Sequence, residues 1–303
     1  MKNQRKVAFL VLTFVSLIWG VASPVIKYTL NYLPAYSFLY WRFLISSLIF
    51  LPFFFYFSKK NPVKKQDWLK MIFLGFLSTP LNLILLFLGY EKTTSMDGVL
   101  ISATTPIFIT LGGALFLNEK VTKIERWGLL IASLGTVISV SQPILEKGLL
   151  SGSFYGNFLV FVSVIAWVFY TLCAKKTNFK YPPLIPTAIG FFVGLITILP
   201  IALLKEGPVI FNLSALIANP NAFAGVLYMT ILSSVVAYTL YLYGVSLIEA
   251  SEATLFAYLQ PIFAAPVASW WLGEKMTLPF LIGAFFIALG VVLSQIKTKR
   301  AEN

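Results

Sequence analysis

Residues 89–141 are written a second time, without a gap, as residues 244–296 at a constant shift of 155. Pro106-Ile107-Phe108 returns as Pro261-Ile262-Phe263. Leu117, Glu119, Lys120 and Thr122 return as Leu272, Glu274, Lys275 and Thr277, and Gly128, Gly135 and Ser139 as Gly283, Gly290 and Ser294. A looser match at a shift of 148 pairs Trp19 with Trp167, Lys27 with Lys175, Pro34 with Pro182 and Pro52 with Pro200. The shift changes once, before the eighth apolar segment. Each copy is one structural unit, and internal duplication in a very apolar chain is a mark of secondary transporters.

Hydrophobic residues fill 58% of the 303 positions, charged ones 11%, and mean hydropathy is +0.85, more apolar surface than one soluble core can hide. Apolar runs of about 20 residues, enough to cross a bilayer, recur along the whole chain. Their centres fall near residues 18, 46, 79, 106, 132, 163, 193, 233, 261 and 288. Five spans per copy is an odd number, so the second copy must enter the membrane in the opposite sense. The expected fold is an all-α integral membrane protein of ten transmembrane helices, a five-plus-five inverted repeat with units at residues 1–148 and 149–303. The halves are expected to meet in a short segment at residues 142–153.

A net charge of +12 would suit a nucleic-acid binder, but the distribution of basic residues argues otherwise. With the N-terminus in the cytoplasm, seventeen Lys and Arg fall in inner connections and four in outer ones, leaving Lys27 and Arg42 inside spans. That asymmetry reads as topology, with both termini cytoplasmic. Lys2, Arg5 and Lys6, the apolar run after them and Gly20-Val21-Ala22 look like a cleavable signal. Trp19 and Lys27 have partners in the second copy, however, so the first span is expected to stay. One cysteine, Cys173, and no histidine leave no intrachain disulfide and no imidazole metal site or proton relay. No nucleotide-binding Gly-rich loop is present, and no nucleophile, acid and base cluster. Neither an enzyme, a metal nor a cofactor is expected.

The Ile18-Trp19-Gly20 element with Lys27, Arg42 in the second span, and the doubled Pro-Ile-Phe and Leu-x-Glu-Lys-x-Thr segments carry a resemblance. Over essentially its whole length the chain resembles EamA-type members of the drug/metabolite transporter superfamily. The resemblance implies spans 1–4 and 6–9 around a central cavity, with spans 5 and 10 peripheral. It also implies export of a small metabolite, amino acids foremost, across a bacterial cytoplasmic membrane by alternating access. Nucleotide-sugar or cationic drug carriage within the superfamily is the nearest alternative, and a non-transporting receptor or scaffold the alternative of another class. The expected partners are a small-molecule substrate and membrane lipid, with no nucleic acid; a monomer is one reading of the assembly, whose state the sequence leaves open.

Pro106 and Pro261 are matched helix interruptions, which free the carbonyls of Ser102 and Ala257 and point to a midplane site. A plain packing kink is the competing reading. Polar groups at that depth are Asn82, Thr104, Thr105 and Gln260. Trp19 and Trp167 are mid-span partners whose rings suit an apolar or aromatic side chain. The substrate site is therefore expected from Trp19, Arg42, Asn82, Thr105, Trp167, Tyr258 and Gln260. Arg42 lies deep enough to bind a substrate carboxylate or to pair permanently with Asp97 or a carbonyl. Lys27 with Asp97 outside, and Lys175 with Glu252 inside, form repeat-related sets that would serve as alternating gates, unless all four simply reach the headgroups. Glu119 and Glu274 are expected to cap the helices that follow them, and Phe50 to Phe57 to face lipid.

Overall fold

A computed structural model describes residues 2–118, 122–147, 153–177, 181–248, 253, 255–274 and 278–295. Helices α1 (Lys2–Thr29), α2 (Ala35–Lys60), α3 (Lys65–Lys92), α4 (Ser95–Phe116) and α5 (Lys123–Lys147) form the first half. Helices α6 (Ser153–Thr177), α7 (Leu184–Glu206), α8 (Pro220–Leu247), α9 (Gln260–Leu272) and α10 (Leu278–Gln295) form the second. Among the described residues, α1 to α4 and α6 to α8 are the seven helices long and apolar enough to cross a membrane. The chain is a multi-pass, all-helical membrane protein. The expected junction loop at residues 142–153 is helical as far as Lys147, because α5 runs past Pro143. The connection before α8 also folds, into a 3-10 turn Gly207–Phe211 and a short helix Leu213–Ala218.

Among the described residues, helix starts are closed both by local caps and by side chains from elsewhere. Thr94 caps α4 locally, its hydroxyl accepting from the Asp97 N–H at 3.0 Å. Asn219 does the same for α8 ahead of Pro220. The first turn of α2 has no cap of its own, since Pro34 has no side-chain acceptor. Glu91 accepts from the Ala35 N–H at 3.2 Å, and Glu206 accepts from the N–H groups of Tyr36 at 3.1 Å and Ser37 at 2.8 Å. Glu274 does cap a helix, but not the one that follows it. Its carboxylate accepts from the Ser95 and Met96 N–H groups and the Ser95 hydroxyl at the start of α4. Glu119 lies outside the described residues.

Hydrophobic collapse does not drive helices together in lipid, so close backbone approach must. α5 packs along α10, α2 along α7, α3 along α6, α1 along α8 and α9, and α4 along α6. Exchanging each helix for its counterpart five places on returns the same set of pairs. The contacts agree residue by residue. A Cβ on Gly135 of α5 would overlap the Gly283 carbonyl of α10, and one on Gly290 would overlap the carbonyl of Gly128. A Cβ on Gly89 would meet Val160, and one on Gly244 would meet Leu12, which is Val160's own counterpart. The Phe-rich run in α2 is divided rather than lipid-facing throughout. Phe53 and Phe55 are exposed, whereas Phe50 is buried and stacks on Phe191 at 5.7 Å because α7 covers that face.

Replacing Gly135 with Val should therefore destabilise the α5–α10 contact by about 1–3 kcal/mol through overpacking. Gly290→Val should do so by a similar amount. Thermal unfolding in detergent would register both as lowered midpoints, with Leu130→Ala on the exposed face unchanged.

Candidate functional site

A cavity of about 130 Å³, measured as the space open to the centre of a water-sized sphere, lies at the middle of the bundle. One water needs roughly 10–15 Å³ on the same measure, so there is room for a small metabolite. Its walls come from α1, α3, α4, α6, α8 and the 3-10 turn Leu255–Leu259 leading into α9, with Arg42 the sole contribution of α2. Among the described residues, none from α5, α7 or α10 adds to the lining.

Arg42 is 1% exposed. Its Nε donates to Ser234 Oγ at 2.8 Å, its Nη2 reaches Ser233 Oγ at a long 3.5 Å, and its guanidinium lies 5.5 Å from the centre of the Phe87 ring. Nη1 is buried and makes no hydrogen bond. Asp97 takes no part in this contact; its carboxylate accepts from the Thr93 hydroxyl at 3.3 Å. A buried cation served only by neutral groups is unfavourable by several kcal/mol relative to a paired one.

Local backbone geometry sets that arrangement. Ser233 and Ser234 sit in a π-helical stretch, Tyr228–Val236, and Ser234 Oγ donates to the Met229 carbonyl at 2.7 Å while it accepts from Arg42. The same distortion recurs in α3 at Leu77–Leu81, around Pro80. Ser78 and Thr79 there are the counterparts of Ser233 and Ser234, and Gly190 is the counterpart of Arg42. The register is the same: a Cβ on Gly190 would lie 3.0 Å from Thr79 Oγ1 and 3.5 Å from Ser78 Oγ. One half thus offers a guanidinium where the other closes backbone to backbone on Gly75. The Ser78-Thr79 and Ser233-Ser234 pairs are the sequence signal for this site, and a reading by depth, which singles out Arg42, passes over them.

Trp19 and Trp167 meet edge to face at 5.5 Å, and each also packs on Tyr238 at 5.5 Å and Tyr241 at 5.2 Å. The Trp19 indole N–H is tied to the Ser233 carbonyl at 3.2 Å. Leu83 and Leu86 are the counterparts of Tyr238 and Tyr241 and also line the cavity, so the two walls share a frame and differ in chemistry. Asn82 lines it too, its Nδ2 donating to the Ser163 carbonyl at 2.8 Å. α4 breaks at Ala103–Thr104, and Pro106 lies in the first turn of the segment that follows. The freed Ser102 carbonyl accepts from the Thr105 hydroxyl at 2.5 Å, with both residues lining the cavity. Pro261 occupies the same place after the 3-10 turn, beside Ala257 and Gln260.

Tyr258 stands apart from these residues. It is fully buried among Ala103, Ala132 and Ile287, away from the cavity. A 3-10 turn rotates successive side chains by about 120°, so Ala257 faces inward and Tyr258 turns to the α5 and α10 side.

Lys27 does not meet its expected carboxylate in this conformation. Lys27 donates to the Tyr90 carbonyl at 2.9 Å, and no ion pair joins it to Asp97. Lys175 donates to the carbonyls of Val245 at 3.0 Å and Ile248 at 2.6 Å; Glu252 lies outside the described residues. Tyr90 and Val245 are themselves repeat counterparts near the ends of α3 and α8, where a cation complements the helix dipole.

A solved crystal structure aligns with 98% of this chain and 99% of its own length at a TM-score of 0.75 and 14% identity, which establishes a shared fold. An uncharacterized transporter of Archaeoglobus fulgidus is 28% identical over 290 residues, covering 95% of this chain and 97% of that protein. The uncharacterized transporter YyaM of Bacillus subtilis is 23% identical over 286 residues, covering 94% and 92%. These relatives point to a transporter of small molecules rather than an enzyme. The EamA-like transporter family model matches residues 6–141 and again residues 154–295, and the chain belongs to that family.

Proposed function

We propose that the chain is a secondary carrier that binds a small carboxylate-bearing metabolite, amino acids foremost, on Arg42 and moves it outward across a bacterial cytoplasmic membrane. The observation that carries this reading is the buried guanidinium with an unused donor bordering the central cavity. A carboxylate is its natural bidentate partner, and a cationic drug would be repelled. A single arginine is also a poor match for the two phosphates of a nucleotide sugar. Trp19, Trp167, Tyr238 and Tyr241 would hold the substrate's apolar body, with Asn82, Thr105 and Gln260 on its polar edges.

The proposed cycle rocks two inverted five-span repeats, residues 1–148 and 149–303, about the cavity. The family model's two matches and a contact set that survives exchange of the halves support that arrangement. The seventeen-to-four distribution of basic residues supports cytoplasmic termini. Export is the direction the family resemblance supports. Lys27 on the Tyr90 carbonyl and Lys175 on those of Val245 and Ile248 are the proposed latches, each tying the first helix of a repeat to its third. Asp97 would receive Lys27 when those helix ends part.

Counterflow uptake of labelled amino acids into proteoliposomes tests the substrate site. Arg42→Lys keeps the charge and loses the planar fork, so uptake at low substrate should fall about tenfold or more. Undiminished uptake by folded Arg42→Lys would remove the carboxylate reading.

For the latches, a cysteine placed at Gln260 in a Cys173→Ser background can be labelled from outside with an impermeant maleimide. Lys27→Met should speed that labelling and Lys175→Met should slow it. Shifts in the same direction would discard the paired-latch scheme.

A further inference from the structure

We infer that the carrier is an exchanger, in which the buried charge of Arg42 makes the loaded protein reorient far faster than the empty one. This rests on the reading that a substrate carboxylate sits on Arg42, and goes beyond it to the coupling between the two directions of transport.

The argument begins with the partners of the guanidinium. It carries five N–H donors. Two serine hydroxyls and the face of Phe87 attend it, and Nη1 makes no hydrogen bond. No carboxylate lies within ion-pair distance among the described residues. The cavity that it borders is walled by apolar or weakly polar groups, Leu83, Leu86, Trp19 and Trp167 among them. While the cavity is open to one side, water can solvate the charge. Alternating access requires a state closed to both sides, in which most of that water is excluded. An empty cavity then holds an uncompensated cation in a medium of low dielectric, the least favourable way to bury a charge. A bound carboxylate removes the penalty at the same moment by a bidentate, charge-assisted pair.

The substrate therefore stabilises the closed state selectively over the open ones, and only such differential stabilisation changes a rate or a population. The broken repeat symmetry sets the stoichiometry. Gly190 stands where a second arginine would be, so one cavity carries one such charge and one carboxylate compensates it. A cycle loaded in both directions avoids the slow step, whereas net transport must pass through it. Outward movement of one carboxylate is thus coupled to inward return of another, one for one.

The test uses full-length protein in liposomes loaded in turn with labelled L-leucine, L-phenylalanine and their 2-oxo acids. Efflux is timed into medium with or without the same unlabelled compound. External compound should accelerate efflux about tenfold or more for the wild type and for Arg42→Lys, which keeps the charge. Arg42→Gln, assayed at saturating load and checked for folding by its unfolding midpoint, should show less than about a twofold effect, because no charge remains to compensate. Saturable efflux that is equally fast with and without external compound would overturn exchange and leave the carrier standing. Full acceleration in Arg42→Gln would overturn the role given to the charge. Absence of saturable flux for all four compounds, in folded protein, would remove the carboxylate-carrier reading and the exchange inference with it.

Discussion

A hydrocarbon interior tolerates an open backbone hydrogen-bonding group only where protein or a watery cavity satisfies it, and the layout of this chain follows from that limit. Regular helix is interrupted within the bundle at Leu77–Leu81 in α3, at Ala103–Thr104 in α4, at Tyr228–Val236 in α8 and at Leu255–Leu259 before α9. These form two repeat-related pairs, and each either contributes residues to the cavity or borders one that does. The freed groups are met locally, Ser102 by Thr105 and Met229 by Ser234. The interruptions are tolerable because the cavity is there, and the cavity exists because interrupted helices cannot pack as tightly as regular ones.

The frame and the lining obey different rules. Contacts that hold helices together recur in both halves: Gly135 on Gly283 and Gly290 on Gly128, Gly89 on Val160 and Gly244 on Leu12, Lys27 and Lys175 on matching carbonyls. The proposed rocking between equivalent states would need such matched contacts, since its two forms must differ by only a few kcal/mol. The lining departs from the match at Arg42 and Gly190, Tyr238 and Leu83, and Tyr241 and Leu86. A metabolite is not symmetric, and a site that fixes its orientation cannot be symmetric either.

Much of this frame was legible from the duplication. The repeat singled out Trp19 and Trp167, Pro106 and Pro261, and Thr105 and Gln260, and all six stand at or beside the cavity. Depth in a span singled out Asn82 and Arg42. What escaped depends on rotation and long-range contact. The direction of Tyr258 was set by a 3-10 turn with no sequence mark, since its neighbours read as ordinary span. The target of Glu274 is a helix start 179 residues earlier, and local capping logic looks only forward. Lys27 chose a backbone carbonyl, an acceptor that every residue carries and that no pattern of side chains reveals. The π-helical serines were visible as a polar pair in each repeat, yet their geometry follows from tertiary packing.

Among the described residues, the placed acids are engaged away from the central charge. Glu91 and Glu206 hold the first turn of α2, Glu274 the first turn of α4, Asp97 accepts from Thr93, and Asp67 accepts from the Tyr181 hydroxyl. Each of these carboxylates serves a helix end or a nearby hydroxyl, and none lines the cavity. A permanent acid beside Arg42 would make the protein more stable and the site inert, because a saturated guanidinium has nothing left to offer a ligand. Leaving it attended by Ser233, Ser234 and a ring face keeps the cation buried and oriented but incompletely satisfied. The instability this introduces is tolerable because the symmetric glycine contacts elsewhere hold the frame, and it is the part of the structure that a carboxylate can relieve.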